Sequence, residues 1–149
     1  MAAVHMNRDL PIIISRIQNG SHFIYADGHE ENFPLPPNDF FENICIRNGS
    51  SILGRKASFQ KLLNVKQKPA ILLSERTQQI YFPDKGDQNK DCNWYLYEKI
   101  MYVKRIDSFH TEIIFESGFK RIIDLDYRII KGQMKRCESF LKLINPIDE

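Results

Sequence analysis

The sequence predicts an α+β fold: a mainly antiparallel sheet built from β-hairpins, closed by a C-terminal amphipathic helix. Three observations lead there. Asn19-Gly20 stands between two β-rich runs, and Ser117-Gly118 stands between two more. Tyr127, Ile130, Met134, Cys137, Leu141 and Ile144 recur at spacings of three and four, which draws one apolar stripe down a helix. The 149 residues, 42% of them hydrophobic and 27% charged, fit one domain over 1–149 with enough length to bury a core.

Taken in order, Ile12, Ile13, Ile14 and Ile17 lead into Asn19-Gly20, and His22-Phe23-Ile24-Tyr25 follows. Asn-Gly there reads as a hairpin, because both turn residues must tolerate positive φ. Pro34, Pro36 and Pro37 make an irregular connector, and a short helix is expected from Asn38 or Asp39 through Phe40, Phe41 and Ile44. Asn48-Gly49-Ser50-Ser51 is a turn. Residues 70–73 and 79–82 read as strands joined across Glu75-Arg76-Thr77, and a polar loop over 84–91 runs to Trp94. Residues 94–106 are strand-like, with Tyr95, Tyr97, Met101 and Val103 on one parity, although aromatic residues also suit helices. Residues 111–115 and 119–125 form a second hairpin. The final helix starts at a cap, Asp124 or Asp126, and stops at Asn145-Pro146. Its apolar stripe either packs on the sheet or pairs with a second copy. Arg128, Lys131, Lys135 and Lys142 fall on another face, solvated or turned to phosphates. No internal repeat or low-complexity tract is evident.

Charge is segregated beneath a net value of +2. Residues 1–42 carry two basic and six acidic residues, a balance of −4. Residues 43–74 carry Arg47, Arg55, Lys56, Lys61, Lys66 and Lys68 with no Asp or Glu, a balance of +6. Residues 75–149 are neutral, with 13 of each sign. The acid-free stretch either attracts a polyanion or is balanced in space by the acidic first third.

Within that stretch, Gly49-Ser50-Ser51-Ile52-Leu53-Gly54-Arg55-Lys56 nearly matches a phosphate-binding loop of pattern G-x-x-x-x-G-K-[ST]. Arg55 stands where the phosphate-reaching lysine belongs, and Lys56 where a hydroxyl must hold Mg²⁺. A cation cannot ligate Mg²⁺, which argues against nucleotide hydrolysis by that route. Two glycines, two hydroxyls and two cations still describe phosphate contact without phosphate chemistry. The plainer reading is a Ser-capped helix start.

Other chemistry is poorly represented. There is no C-x-x-C pair and no H-x-x-x-H, and His5, His22, His29 and His110 are scattered. No metal or cofactor site and no catalytic constellation is expected. Cys45, Cys92 and Cys137 lie too far apart for a disulfide framework, which points to a reducing compartment, with Cys45 and Cys92 as small buried hydrophobes. The longest apolar runs are four residues, against about 20 for a membrane helix. Residues 1–8 lack the charged-then-apolar pattern of a signal peptide.

Cys45-x-x-x-Gly49-Ser50-Ser51-x-x-Gly54-Arg55-Lys56, followed by Lys68-Pro69, Phe82-Pro83 and Cys92-x-Trp94, resembles the ComK family of competence transcription factors. The resembling block runs from Cys45 to Trp94. The resemblance implies a cytoplasmic, nucleoid-associated, non-enzymatic activator that prefers A·T-rich promoter DNA and reads the minor groove. It also implies assembly as dimers or higher on paired boxes, and RNA polymerase as a further partner. A-tracts narrow the minor groove and deepen its negative potential, which favours inserted arginine. Arg47 and Arg55 are therefore the candidates for groove contacts. Lys56, Lys61, Lys66 and Lys68 are the candidates for phosphates, with Gly49, Ser50, Ser51 and Gly54 shaping the element. Asp84 after Phe82-Pro83 and Ala70 after Pro69 depart from the family pattern. The chain is also shorter than fuller-length members, so the tail used for adaptor-guided proteolysis is not expected.

Two alternatives accompany this reading. An RNA or single-strand binding module would stack bases on Tyr81, Phe82, Trp94, Tyr95 and Tyr97. A non-hydrolytic nucleotide- or phosphate-binding protein would use the Gly49–Lys56 segment.

Overall fold

The computed structural model describes residues 9–145. The N-terminal octapeptide, with His5, and Pro146 lie outside the described residues. Element order is β1 (Ile13–Ile17), β2 (Gly20–Ile24), β3 (Glu30–Phe33), α1 (Pro37–Arg47), α2 (Ile52–Leu63), β4 (Ile71–Ser74), β5 (Gln79–Pro83) and β6 (Asn93–Leu96). After a single 3₁₀ turn at Tyr97–Lys99 come β7 (Ile100–Asp107), β8 (His110–Phe115), β9 (Lys120–Ile123) and α3 (Tyr127–Leu143). The α+β expectation holds. One sheet has the order β3-β2-β1-β6-β5-β4 and a second has β7-β8-β9, and every pairing is antiparallel.

The large sheet is buried on both sides over β4–β6, which explains why those strands are almost continuously apolar, while β3, Glu-Glu-Asn-Phe, lies largely exposed at the other end. One face, with Ile14, Phe23, Tyr81 and Trp94, packs on Phe40, Phe41 and Ile44 of α1. The other, with Ile13, Ile24, Phe82 and Tyr95, packs on α3 and on the inner side of the small sheet. Helix α2 lies against β4, the end strand, with Phe59 in one core cluster and Ile52 against the other. It covers an edge that would otherwise expose unpaired backbone groups.

Most elements fall where expected, and the two hairpin turns are confirmed by φ of 63° at Asn19 and 97° at Gly118. The α3 cap is Asp126, whose carboxylate accepts from the Arg128 N–H. The apolar stripe of α3 packs inward: Ile130, Cys137 and Phe140 are buried, with Tyr127, Met134, Leu141 and Ile144 against the same cluster. That stripe is therefore occupied by the chain's own core. The single strand expected over 94–106 is corrected to two. The 3₁₀ turn after Leu96 carries the chain from the large sheet to the small one, an arrangement that parity alone does not encode.

The absence of a repeat is also corrected, because β1-β2-β3-α1 recurs as β7-β8-β9-α3, offset by 90 residues from β2 through the helix and by 89 over residues 13–15 of the first strand. Ser21↔Phe33 through Ile24↔Glu30 become Thr111↔Ile123 through Ile114↔Lys120. The turn bonds Tyr25 N–H to His29 O and Gly28 N–H to Tyr25 O become Phe115 N–H to Phe119 O and Gly118 N–H to Phe115 O. Buried Ser21 donates to Leu35 O at 2.7 Å, and buried Thr111 donates to Leu125 O at 2.8 Å. Few side chains are shared between the copies, so the duplication is visible in hydrogen bonds rather than in letters. The two turns touch, with the Ser117 hydroxyl donating to Ala26 O at 2.6 Å.

Candidate nucleic-acid interface

The acid-free stretch folds as a corner between two helices followed by a strained loop. Helix α1 ends at Asn48 and Gly49. Gly49 has φ +79°, and the Ser50 N–H closes back on Cys45 O at 2.9 Å. This is the left-handed stop that glycine supplies to helix ends. Ser51 then caps α2, its Oγ accepting from the Gly54 N–H at 3.0 Å. A Cβ on Gly54 would meet the Ser50 and Ser51 hydroxyl oxygens at 3.2 and 3.4 Å. The expected phosphate loop is therefore corrected to a capped helix start. Its Ile52 N–H already donates to Glu42 Oε1 at 2.7 Å, so a carboxylate from α1 stands where a bound anion would.

Successive residues on a helix diverge by about 100°, and the two cations that follow Gly54 part accordingly. Arg55 turns inward. Its side chain is only 10% exposed, Nη1 lies 3.4 Å from Glu75 in the β4–β5 turn, and its buried Nε has no hydrogen-bond partner. The guanidinium also sits beside the Cys45 thiol, which burial pushes up to about 11 against the lowering effect of Arg55. As a groove-reading arginine Arg55 is misplaced, because helical phase directs it between α1 and β4. Lys56 turns the other way and pairs with Asp87 in the loop after β5, the two side chains 21% and 27% exposed.

Beyond α2 the chain passes Asn64 and Lys68, both left-handed at φ 55° and 54°. For a lysine before proline that conformation costs stability, on the order of 1 kcal/mol. Helix α3 holds it in place. Gln133, buried, donates Nε2 to Lys68 O at 3.1 Å and to Pro83 O at 2.9 Å. Arg136 donates to Gln67 O at 2.8 Å. Buried Asp84 fixes the facing loop by accepting from Asn93 N–H at 2.9 Å and Tyr95 Oη at 2.9 Å.

These two loops, with α2 and the start of α3, enclose a cleft of about 710 Å³ that gathers Lys56, Lys66, Lys68 and Lys85. Asp84 and Asp87 line it too. The Asp84 oxygens are taken by Asn93 and Tyr95, which leaves Asp87 as the carboxylate that answers a lysine. Three of the six expected cations thus converge. Lys85 joins from outside the acid-free stretch, and its position in a loop after Pro83 gave no periodic signal. Arg47 is exposed at the end of α1, and Lys61 is exposed on the outer side of α2. Among the described residues, no carboxylate pairs with Arg47, Lys61, Lys66 or Lys68. On α3, Arg128 pairs with Asp126, Lys142 with Glu138, and Lys131 lies over the Tyr127 ring.

Two other arrangements are disfavoured by geometry. The four-residue turn between α1 and α2 has the layout of a helix-turn-helix, but the solvent side of α2 presents Leu53, Ala57, Lys61 and Leu62. That surface offers one cation and no arginine, asparagine or glutamine for bidentate contacts to base edges. The expected stacking platform is corrected as well: Tyr81, Phe82, Trp94 and Tyr95 are core residues and Tyr97 is half-buried. Buried rings cannot stack on unpaired bases. Among the described residues no helix is long and apolar enough to cross a membrane, and no cluster of His, Cys, Asp and Glu could hold a metal.

A family model described as ComK protein matches residues 5–146 of the chain. No curated protein and no solved structure matches it.

Proposed function

The chain belongs to the ComK family, and from that premise we propose that it binds duplex DNA at A·T-rich promoter sites and activates transcription for competence. The supporting observation is the cleft that collects Lys56, Lys66, Lys68 and Lys85 from three separated segments. Four ammonium groups around one concavity suit a run of phosphates, and phosphate contacts supply affinity and register rather than sequence. Lys66, Lys68 and Lys85 carry most of that attraction, because among the described residues no carboxylate pairs with them, whereas Lys56 is paired with Asp87. Arg47, exposed at the corner of α1 and without a carboxylate partner, is the arginine we assign to a narrow minor groove. Arg55 is a positioning residue that ties α2 to the β4–β5 turn. Gly49, Ser50, Ser51 and Gly54 set the helix corner rather than a phosphate seat. The protein acts without catalysis, in the cytoplasm, as a dimer or larger assembly on DNA, with RNA polymerase as a further partner.

Binding to A·T-rich and G·C-rich duplexes across a salt series tests this. Four neutralised phosphates give log K against log salt a slope of about −4 on the A·T-rich duplex, with weaker binding to the G·C-rich one. A slope near −1, or preference for single-stranded RNA in direct competition, removes the proposal.

A further inference from the structure

The duplicated βββα unit shows what its first strand is built to accept. In the first copy, Ile14 pairs with Phe23 of β2, and in the second, Val103 pairs with Ile113 of β8. Phe23 and Ile113 are 90 residues apart, so Ile14 corresponds to Val103, and residues 13–15 correspond to 102–104. On the first copy, β6 pairs with that edge through Ile13↔Tyr95, Ile14↔Trp94 and Ser15↔Asn93. On the second copy the same edge is open, because β7 is the terminal strand of its sheet. Around it Met101, Tyr102 and Ile106 are 56%, 52% and 44% exposed. The strand also carries exposed Lys104 and Arg105, so the edge is open but charged, and an open edge is a template only for a strand whose side chains suit those cations.

We propose that β7 pairs antiparallel with β7 of a second copy, joining the two small sheets into one of six strands. The charges choose the register. Facing residues must share a side of the sheet, and Val103 is buried inward, with Tyr102 and Lys104 to its outward side. Placing Lys104 opposite Lys104 of the second copy sets like charges in contact. Placing Val103 opposite Val103 avoids this: each Lys104 then faces the other copy's Tyr102 ring. Two ammonium–ring contacts and a buried valine pair result. The bulges at residues 101 and 106 confine the regular pairing to residues 102–104 of each copy, the same three-residue span that β6 uses on the equivalent edge.

This inference rests on the assembly part of the proposed function and is tested by sedimentation of the full chain, with and without an A·T-rich duplex. The unaltered chain sediments as a dimer. Tyr102→Lys, which sets lysine against Lys104 twice, gives a monomer, and Tyr102→Glu, which sets glutamate there, stays dimeric. Val103→Cys supplies a direct partner pair at about 5 Å between Cα atoms, within disulfide reach. It forms a covalent dimer under mild oxidation, while buried Cys45, Cys92 and Cys137 do not react. A chain that is monomeric with and without DNA overturns both this inference and the assembly proposal. A dimer indifferent to Tyr102→Lys and to Val103→Cys oxidation overturns the β7 contact alone and leaves assembly standing.

Discussion

Arg55 and Lys56 are neighbours in sequence and opposites in circumstance. Arg55 lies between α1 and the β4–β5 turn, beside Cys45, with its one carboxylate partner largely in solvent. Lys56 opens onto a cleft where three further lysines converge and where Asp87 offsets its charge. Two cations one residue apart therefore do different physical work. A buried guanidinium contributes its alkyl stem and orientation to the fold, whereas a lysine on a cleft wall contributes field. The difference teaches that a run of basic letters measures potential only after pairing and burial are known.

The largest break in that contrast comes from the cleft. Removing Lys66 and Lys68 together should lower affinity for the A·T-rich duplex about thirtyfold or more near 0.1 M salt, and flatten the salt slope by about 1.8. The melting temperature should barely move, since Lys66 is exposed and neither lysine is ion-paired. A large fall in melting temperature with an unchanged slope would assign these lysines to the fold instead.

The opposite pattern is expected of Arg55. Arg55→Ala should cost about 2 kcal/mol of stability through lost packing, with Arg55→Met recovering most of it. The folded fraction should retain its salt slope and its preference between duplexes. Cys45, whose thiol burial keeps protonated, should become open to alkylation in the alanine variant, while Cys137 stays closed on the inner face of α3. Loss of the A·T preference in Arg55→Met, with melting unchanged, would return Arg55 to the DNA.

The smallest change sharpens the comparison most. Asp87 competes with phosphate for Lys56. Asp87→Asn should tighten binding about fivefold, because Lys56 then meets its phosphate without a competing carboxylate. Equal binding in the two proteins would mean that Lys56 stays outside the interface.

The block of sequence that carries the family resemblance proves to be largely interior. Cys45, Phe82, Cys92 and Trp94 are buried, Pro83 ends β5 beneath Gln133, and Gly49 is a helix stop. Such positions are legible because each is constrained by one local need, a left-handed φ or a fixed volume. The interface was less legible. Lys85 and Asp87 sit in a polar loop without periodicity, and their meaning depends on α2 lying across from them.

The local structure was legible in the letters: hairpins from Asn19-Gly20 and Ser117-Gly118, the α3 stripe with its cap at Asp124 or Asp126, and a segment free of acids; the Ser51 cap was one of two readings of its segment. These follow from backbone sterics and helical period, which act over a few residues. Only the tertiary structure decided which cations meet, that Glu42 fills the head of α2, and that α3 props Lys68 through Gln133. It alone revealed that one βββα unit is used twice, paired at β1 and open at β7. Those outcomes depend on contacts between residues dozens of positions apart, and on pairings between backbone groups that every residue but proline carries alike.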